Sequence, residues 1–248
     1  MIYFLLFSLG LLIGSFLNVC IYRIPKNQTV VTTPSHCPKC NYRIKWYDLI
    51  PVFSYLFLGG KCRFCKEKVS IQYPSVELLN GSIYVWLYFI YSLSVQFFGM
   101  AFLASTLIVI SFIDFKYSII PNRIILVLLI GGIIYNILDK ELTYVDSIAG
   151  FFAASFPLLV IAVLSKGGMG GGDVKLMAVA GIFLGWQLIL LALFLASMIG
   201  SVVGIALIVL KIKKRKDLIP FGPFLAAGIF IVMLYGHEII KWYLGFYT

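Results

Sequence analysis

The sequence predicts an all-α fold: a polytopic membrane helix bundle of about eight transmembrane helices with a small cytoplasmic zinc-ribbon-like insertion. Three observations predict it. Hydrophobic residues occupy 61% of the 248 positions and charged residues only 12%, with a mean hydropathy of +1.01, whereas a soluble domain of this size needs far more polar surface. Apolar runs near the roughly 20 residues that cross a bilayer as a helix recur along the chain. The one long polar segment carries two CxxC pairs.

The expected spans are 2–22, 76–97, 99–115, 122–138, 147–165, 174–188, 190–210 and 219–240. The first is apolar from Met1 to Cys20, with neither a basic start nor a small-residue cleavage site, and reads as a retained span rather than a cleavable leader. Pro74 precedes the second span, Gly99 divides the second from the third, and Pro121 opens the fourth. The run Gly167-Gly168-Met169-Gly170-Gly171-Gly172 divides the fifth from the sixth, and the region Gly185–Gln187 the sixth from the seventh. Three domains are expected: the first helix, 1–22; a cytoplasmic module, 23–73; and a core of about seven helices, 74–248.

Charge orients the bundle. With the N-terminus outside, 18 of the 20 Lys and Arg residues fall on the cytoplasmic side, nine of them in the loop after the first span. Only Lys140 and Lys241 remain outside. This asymmetry is the positive-inside pattern. It accounts for the net charge of +10 without a nucleic-acid partner, and leaves the lipid bilayer as the expected surroundings. No signature of a particular oligomer is present.

The module 23–73 contains Cys37-Pro38-Lys39-Cys40, then 21 residues, then Cys62-Arg63-Phe64-Cys65. Two such knuckles can place four thiolates around one Zn²⁺. A reducing cytoplasm argues against disulfides in the same positions. A closed four-sulfur site leaves no position open for catalysis, so the metal is structural. Cys20 stands alone in an apolar run and reads as a small core residue. The stretch from Leu49 to Leu58 is too short to span and reads as the module's core or as a surface packed on the membrane.

Four acidic residues lie in or beside spans on the cytoplasmic side: Glu77, Asp114, Asp173 and Asp217. Ionisable groups at membrane depth are costly and are functional candidates. Asp217 follows a basic cluster and reads as a solvated ion-pair partner. Glu77 complements the start of its helix. An N-cap role suits Asp173, and Lys116 or Arg123 are possible partners for Asp114. Yet the third span runs inward and the sixth outward, which brings Asp114 and Asp173 to one cytoplasmic mouth. Paired carboxylates there suit aspartic proteolysis, one activating water and the other protonating the scissile carbonyl. Helix polarity suggests that Asp173, at a helix N-terminus, is the ionised member and that Asp114, at a C-terminus, holds the shared proton.

In order along the chain stand Gly14-Ser15-Phe16-Leu17-Asn18 through Tyr22-Arg23-Ile24-Pro25, then Trp46-Tyr47-Asp48-Leu49-Ile50-Pro51 between the knuckles, then Tyr73-Pro74-Ser75-Val76-Glu77-Leu78. Asp114 with Ile120-Pro121-Asn122 follows, then Gly170-Gly171-Gly172-Asp173-Val174-Lys175, then Ile219-Pro220-Phe221-Gly222-Pro223-Phe224. Taken together these resemble the prepilin peptidases, the GxGD-type membrane aspartic proteases that process type IV pilins. The resemblance implies a bacterial inner-membrane enzyme that faces the cytoplasm and cuts the basic leader from pilin-like precursors, its substrates and partners. It also implies methylation of the new N-terminal residue with S-adenosylmethionine. Glu77, Asn18 and Arg23, with Gly170, Gly171, Gly172 and Lys175, are the candidate substrate or methylation residues. The rival readings are a zinc-ribbon membrane scaffold without chemistry, a proton-coupled transporter, and a preflagellin-type protease, a class that typically lacks the cysteine-bearing loop.

Overall fold

A computed structural model describes residues 1–139, 142–165, 169–214 and 217–245. Those residues form helices and contain no strand. The helices are α1 (Ile2–Arg23), α2 (Phe53–Phe57), α3 (Gln72–Tyr91), α4 (Val95–Tyr117), α5 (Asn122–Leu138), α6 (Tyr144–Leu164), α7 (Gly171–Val209) and α8 (Gly222–Leu244). Among the described residues five stretches are long and apolar enough to cross a membrane: Ile2–Lys26, Val95–Tyr117, Tyr144–Leu164, Gly171–Val209 and Gly222–Leu244. This falls short of the eight spans expected, for three reasons. The shorter α5 has only 17 residues, α3 carries Gln72, Glu77 and Asn80 within its 20, and α7 joins two expected spans into one.

The two halves of α7 meet at Gly185, whose φ of 76° and ψ of 174° lie in a region essentially open only to glycine. The break expected near Gly185–Gln187 is therefore present as a kink. Gly99, expected to divide two spans, lies inside α4 instead. The break falls one turn earlier, where the Ser94 hydroxyl accepts the Phe97 N–H as an N-cap. Gly99 serves packing: a Cβ there would run into the Tyr135 ring of α5. Pro74 lies in the first turn of α3, where its missing N–H costs no helical bond. Lys140, Glu141, Gly167, Gly168, Arg215 and Lys216 fall outside the described residues, and with them parts of the expected outer charge group, glycine run and basic cluster.

The chain divides into two compact units, Met1–Leu93 and Ser94–Thr248. In the first, α1 and α3 pack at backbone contact. A Cβ on Gly10 would lie 2.6 Å from the Gly81 Cα, and one on Gly14 would lie 2.7 Å from the Glu77 Cα. Small residues let membrane helices approach this closely, and polar side chains then stitch them. Asn80 Nδ2 donates to the Gly10 carbonyl at 2.8 Å, and Asn18 Nδ2 donates to the Tyr73 carbonyl at 3.0 Å.

The second unit holds α4 to α8. A buried polar chain ties three of its helices: the Ser147 hydroxyl of α6 bonds Asn136 Oδ1 of α5 at 2.6 Å, and Asn136 Nδ2 donates to the Ile182 carbonyl of α7 at 2.7 Å. Gly150 and Gly181 bring α6 and α7 into backbone contact beside it. The first half of α7 is thereby locked, and Asp173 stands in its first turn.

Candidate active site and metal centre

In the second unit, one end of the bundle gathers the last turn of α4 and the first turns of α5, α7 and α8. Asp114 sits three residues before the end of α4, and Ser118, with φ of 54°, closes that helix by returning its N–H to the Asp114 carbonyl at 2.7 Å. The Asp114 side chain is 6% exposed. Its Oδ2 accepts the N–H of Gly222, the first residue of α8, at 2.9 Å. Neither Lys116 nor Arg123, the partners expected from sequence, fills that role. A Cβ on Gly222 would stand 2.7 Å from the same oxygen. Glycine is required here because the carboxylate occupies the space of a side chain.

Asp173 is 8% exposed and is the third residue of α7, with Gly170 in the capping position. It is therefore not the N-cap. The run of glycines explains how its helix starts so close to its neighbours. A Cβ on Gly172 would lie 2.8 Å from Ile120 Cβ, in the turn between α4 and α5. Nearby, Lys175 Nζ donates to Asn122 Oδ1 at 2.9 Å, fastening the starts of α7 and α5.

Asp114 and Asp173 lie close enough for the charge of one to act on the other. Each is also beside a helix N-terminus, Asp173 in that of α7 and Asp114 against that of α8. Helix polarity therefore does not separate their roles as the sequence suggested, because the α8 start offsets the α4 end at Asp114. The signal for this was Gly222-Pro223, a helix-opening pair that sequence reasoning matched only as a motif. Asp217 lies elsewhere: its carboxylate caps a turn by accepting the Lys214 N–H at 2.8 Å.

The first unit holds the remaining candidates. Cys37, Cys40, Cys62 and Cys65 place their sulfurs within 4.8 Å of one another. Cys37 Sγ and Cys65 Sγ are 3.8 Å apart. A tetrahedron with Zn–S bonds of about 2.3 Å has edges of roughly that length. Both knuckles have the same backbone. The Asn41 N–H returns to the Cys37 carbonyl at 2.9 Å, and the Lys66 N–H to the Cys62 carbonyl at 3.0 Å, with Asn41 and Lys66 both left-handed. Single bridges, His36 with Arg43 and Lys61 with Lys68, close each loop. Backbone N–H groups of Cys65 and Phe64 hold the Cys62 thiol down at about 7. Cys65, although the Glu67 N–H favours its thiolate, is pushed up to about 12 by desolvation and the neighbouring thiols. Four thiolates here need a cation among them, and the donor set fits zinc.

Glu77, Asn18 and Arg23 are all buried in this unit. The Arg23 guanidinium donates to three loop carbonyls, Thr29 at 3.1 Å, Thr33 at 2.7 Å and Pro34 at 3.1 Å. Glu77 Oε2 accepts the Val52 N–H at 2.7 Å. Asn18 Oδ1 is buried without a hydrogen-bond donor among the described residues.

Comparison with known proteins finds two matching family models. The bacterial peptidase A24 N-terminal domain matches residues 8–91, and the type IV leader peptidase family matches residues 101–205. Over 271 residues the chain is 34% identical to the prepilin leader peptidase/N-methyltransferase of Aeromonas salmonicida, covering 97% of this chain and 93% of that protein. The proteins of the same name from Bacillus subtilis and Pseudomonas aeruginosa are 32% and 33% identical. Each alignment covers more than nine-tenths of both chains: 97% and 97% for the first, 96% and 92% for the second. No solved structure matches the chain at a significant level.

Proposed function

The chain belongs to the type IV leader peptidase family, and from that premise we propose that it is a membrane aspartic endopeptidase removing leader peptides from pilin-like precursors. The observation that carries the reading is the pair of buried carboxylates, Asp114 and Asp173, within electrostatic reach at one end of the second unit. One carboxylate takes a proton from water as the water oxygen attacks the scissile carbonyl. The other, protonated, gives its proton to the carbonyl oxygen. Collapse of the tetrahedral intermediate breaks the C–N bond, and the amine leaves with a proton. Such a pair titrates as a unit, so either aspartate can start as the acid. Gly170 and Gly171 leave room for an extended substrate backbone beside Asp173, while Gly172 lets the start of α7 pack on Ile120. Lys175, held by Asn122, positions that turn.

The pair, in this reading, faces the cytoplasm at a bacterial inner membrane, where a basic leader is accessible. The excess of Lys and Arg on the loops expected on that side supports it. In this reading residues 23–73 are the inserted module and 74–248 supply the protease core. Zinc on the four cysteines holds the module in shape. Methylation of the new N-terminus follows from the same family membership. S-adenosylmethionine would supply the methyl group. Asn18 Oδ1 and the Glu77 carboxylate are two acceptors facing the α1–α3 seam and suit the amine that receives it. Arg23, its donors taken by loop carbonyls, serves by shaping that loop.

Membranes containing the full chain, incubated with a pilin-like precursor and read by mass spectrometry, test the proposal. Leader loss with the wild type but not with Asp114→Asn or Asp173→Asn is expected. Normal cleavage by either variant overturns the assignment and favours a non-catalytic membrane scaffold. A further gain of one methyl mass on the product reports the second activity.

A further inference from the structure

Between the two cysteine knuckles the chain makes a turn that is costly on its own. Val52 has φ of 62° and ψ of −51°, and the Phe53 N–H returns to the Pro51 carbonyl at 2.6 Å. This is a γ-turn of the rare, strained hand, and a β-branched residue at positive φ is a genuine outlier. Strain of this kind persists only where the surroundings over-determine it. Here the surroundings are Glu77, whose buried carboxylate accepts the Val52 N–H at 2.7 Å.

That bond fixes where the turn sits. Glu77 lies against Gly14 of α1: a Cβ on Gly14 would stand 2.7 Å from the Glu77 Cα. Gly14 is nine residues before Arg23, the end of α1, which is about 14 Å along a helix axis. The loop that leaves α1 at its basic end therefore comes back alongside the candidate membrane span Ile2–Lys26, well inside its end.

The segment is equipped for that depth. Pro51 has no N–H. The Val52 N–H goes to Glu77, the Phe53 N–H to Pro51, the Ser54 N–H to Ile50 at 3.0 Å and the Leu56 N–H to Val52 at 3.0 Å. Irregular backbone near hydrocarbon must be satisfied in this way. The side chains are the reverse of a buried core: Trp46, Ile50, Phe53, Leu56 and Phe57 are exposed, Phe57 to 87%. Five large apolar side chains exposed within twelve residues, outside the spans, are the composition of an interaction surface. The module around it carries nine basic and two acidic residues. Both acids are engaged, Asp48 by Arg63 and Glu67 by Lys39.

We propose that residues 46–57 form a re-entrant interfacial element, with Trp46, Phe53, Leu56 and Phe57 inserted into the lipid surface and Glu77 as the positioning residue that pins it there. The occupant is an anionic bilayer: Trp beside aliphatic side chains, flanked by lysines, suits the boundary between acyl chains and negative headgroups. This goes beyond the proteolytic reading and stands or falls apart from it.

The test uses the full chain in nanodiscs of phosphatidylcholine with phosphatidylglycerol, carrying photo-reactive benzoylphenylalanine at position 57 or at position 31. Val31 is equally exposed, at 87%, in the same unit. Irradiation is expected to give phospholipid adducts at position 57 at least tenfold above those at position 31. Glu77→Ala should cut the adducts at 57 several-fold, and Glu77→Gln, which keeps an acceptor oxygen, should restore them, with bound zinc unchanged in both. Equal labelling at the two positions, or adducts at 57 only to added pilin-like precursor, overturns lipid docking. Unchanged adducts in Glu77→Ala overturn the pinning role.

Discussion

Gly222 gives its backbone N–H to Asp114 Oδ2 at 2.9 Å, and the space that a side chain on Gly222 would need belongs to the same carboxylate. Substituting Gly222 with Ala should therefore disturb catalysis without unfolding the bundle. The added methyl must push Asp114 out of line with Asp173. We expect kcat for leader cleavage to fall ~10–100-fold, about 1.4–2.7 kcal/mol of transition-state stabilisation. Detergent-solubilised protein should melt close to wild type.

The two aspartates act as a unit in the proposed reaction, so their losses should not add. Asp114→Asn, Asp173→Asn and the double variant are each expected to reduce cleavage to the same background. Single-turnover assays check this. A double variant clearly slower than both singles would indicate independent roles.

The cysteine module should hold one zinc per chain by elemental analysis. Cys40→Ser or Cys62→Ser is expected to bring that content near zero and to expose residues 36–69 to protease, since a metal-organised module has little other core. Labelling of thiols in the native protein should be slow until a chelator is added.

Strain at Val52 has a measurable sign. Val52→Gly removes the clash at positive φ and keeps the N–H that Glu77 accepts. It is expected to stabilise the first unit by ~1 kcal/mol, read as a higher unfolding midpoint in detergent. A destabilised Val52→Gly would mean that the turn's side-chain contacts outweigh its backbone strain.

Arg63 donates to both oxygens of Asp48, at 2.9 Å from Nε and 2.6 Å from Nη2. This holds the Asp48 carboxyl below its usual value. Because the folded value is the lower one, the stabilisation is full above the unfolded value of about 3.9. It is lost as pH falls through the folded value. The stability gap between wild type and Asp48→Asn should thus be present at neutral pH and close in acid.

Much of this architecture was legible in the sequence because helix boundaries follow local chemistry. Pro121 caps α5, and Gly185 breaks α7 where expected. Gly99 misled because a glycine permits close packing as readily as a break, and only the Tyr135 ring on α5 distinguishes the two. The two aspartates were legible as charges in an apolar chain. Their environment was not, since the Gly222 N–H that meets Asp114 comes from 108 residues away. The Val52–Glu77 bond was hidden for the same reason: neither residue carries a local signal for the other.

The kink at Gly185 has a consequence for how this family can vary. In an unbroken helix, inserting or deleting one residue rotates everything beyond it by about 100°. Such a change in the second half of α7 would swing Asp173 off its bearing. With the helical phase reset at Gly185, and the first half held by Asn136 and Gly150, residues 186–209 can drift in length and sequence while the aspartate keeps its azimuth.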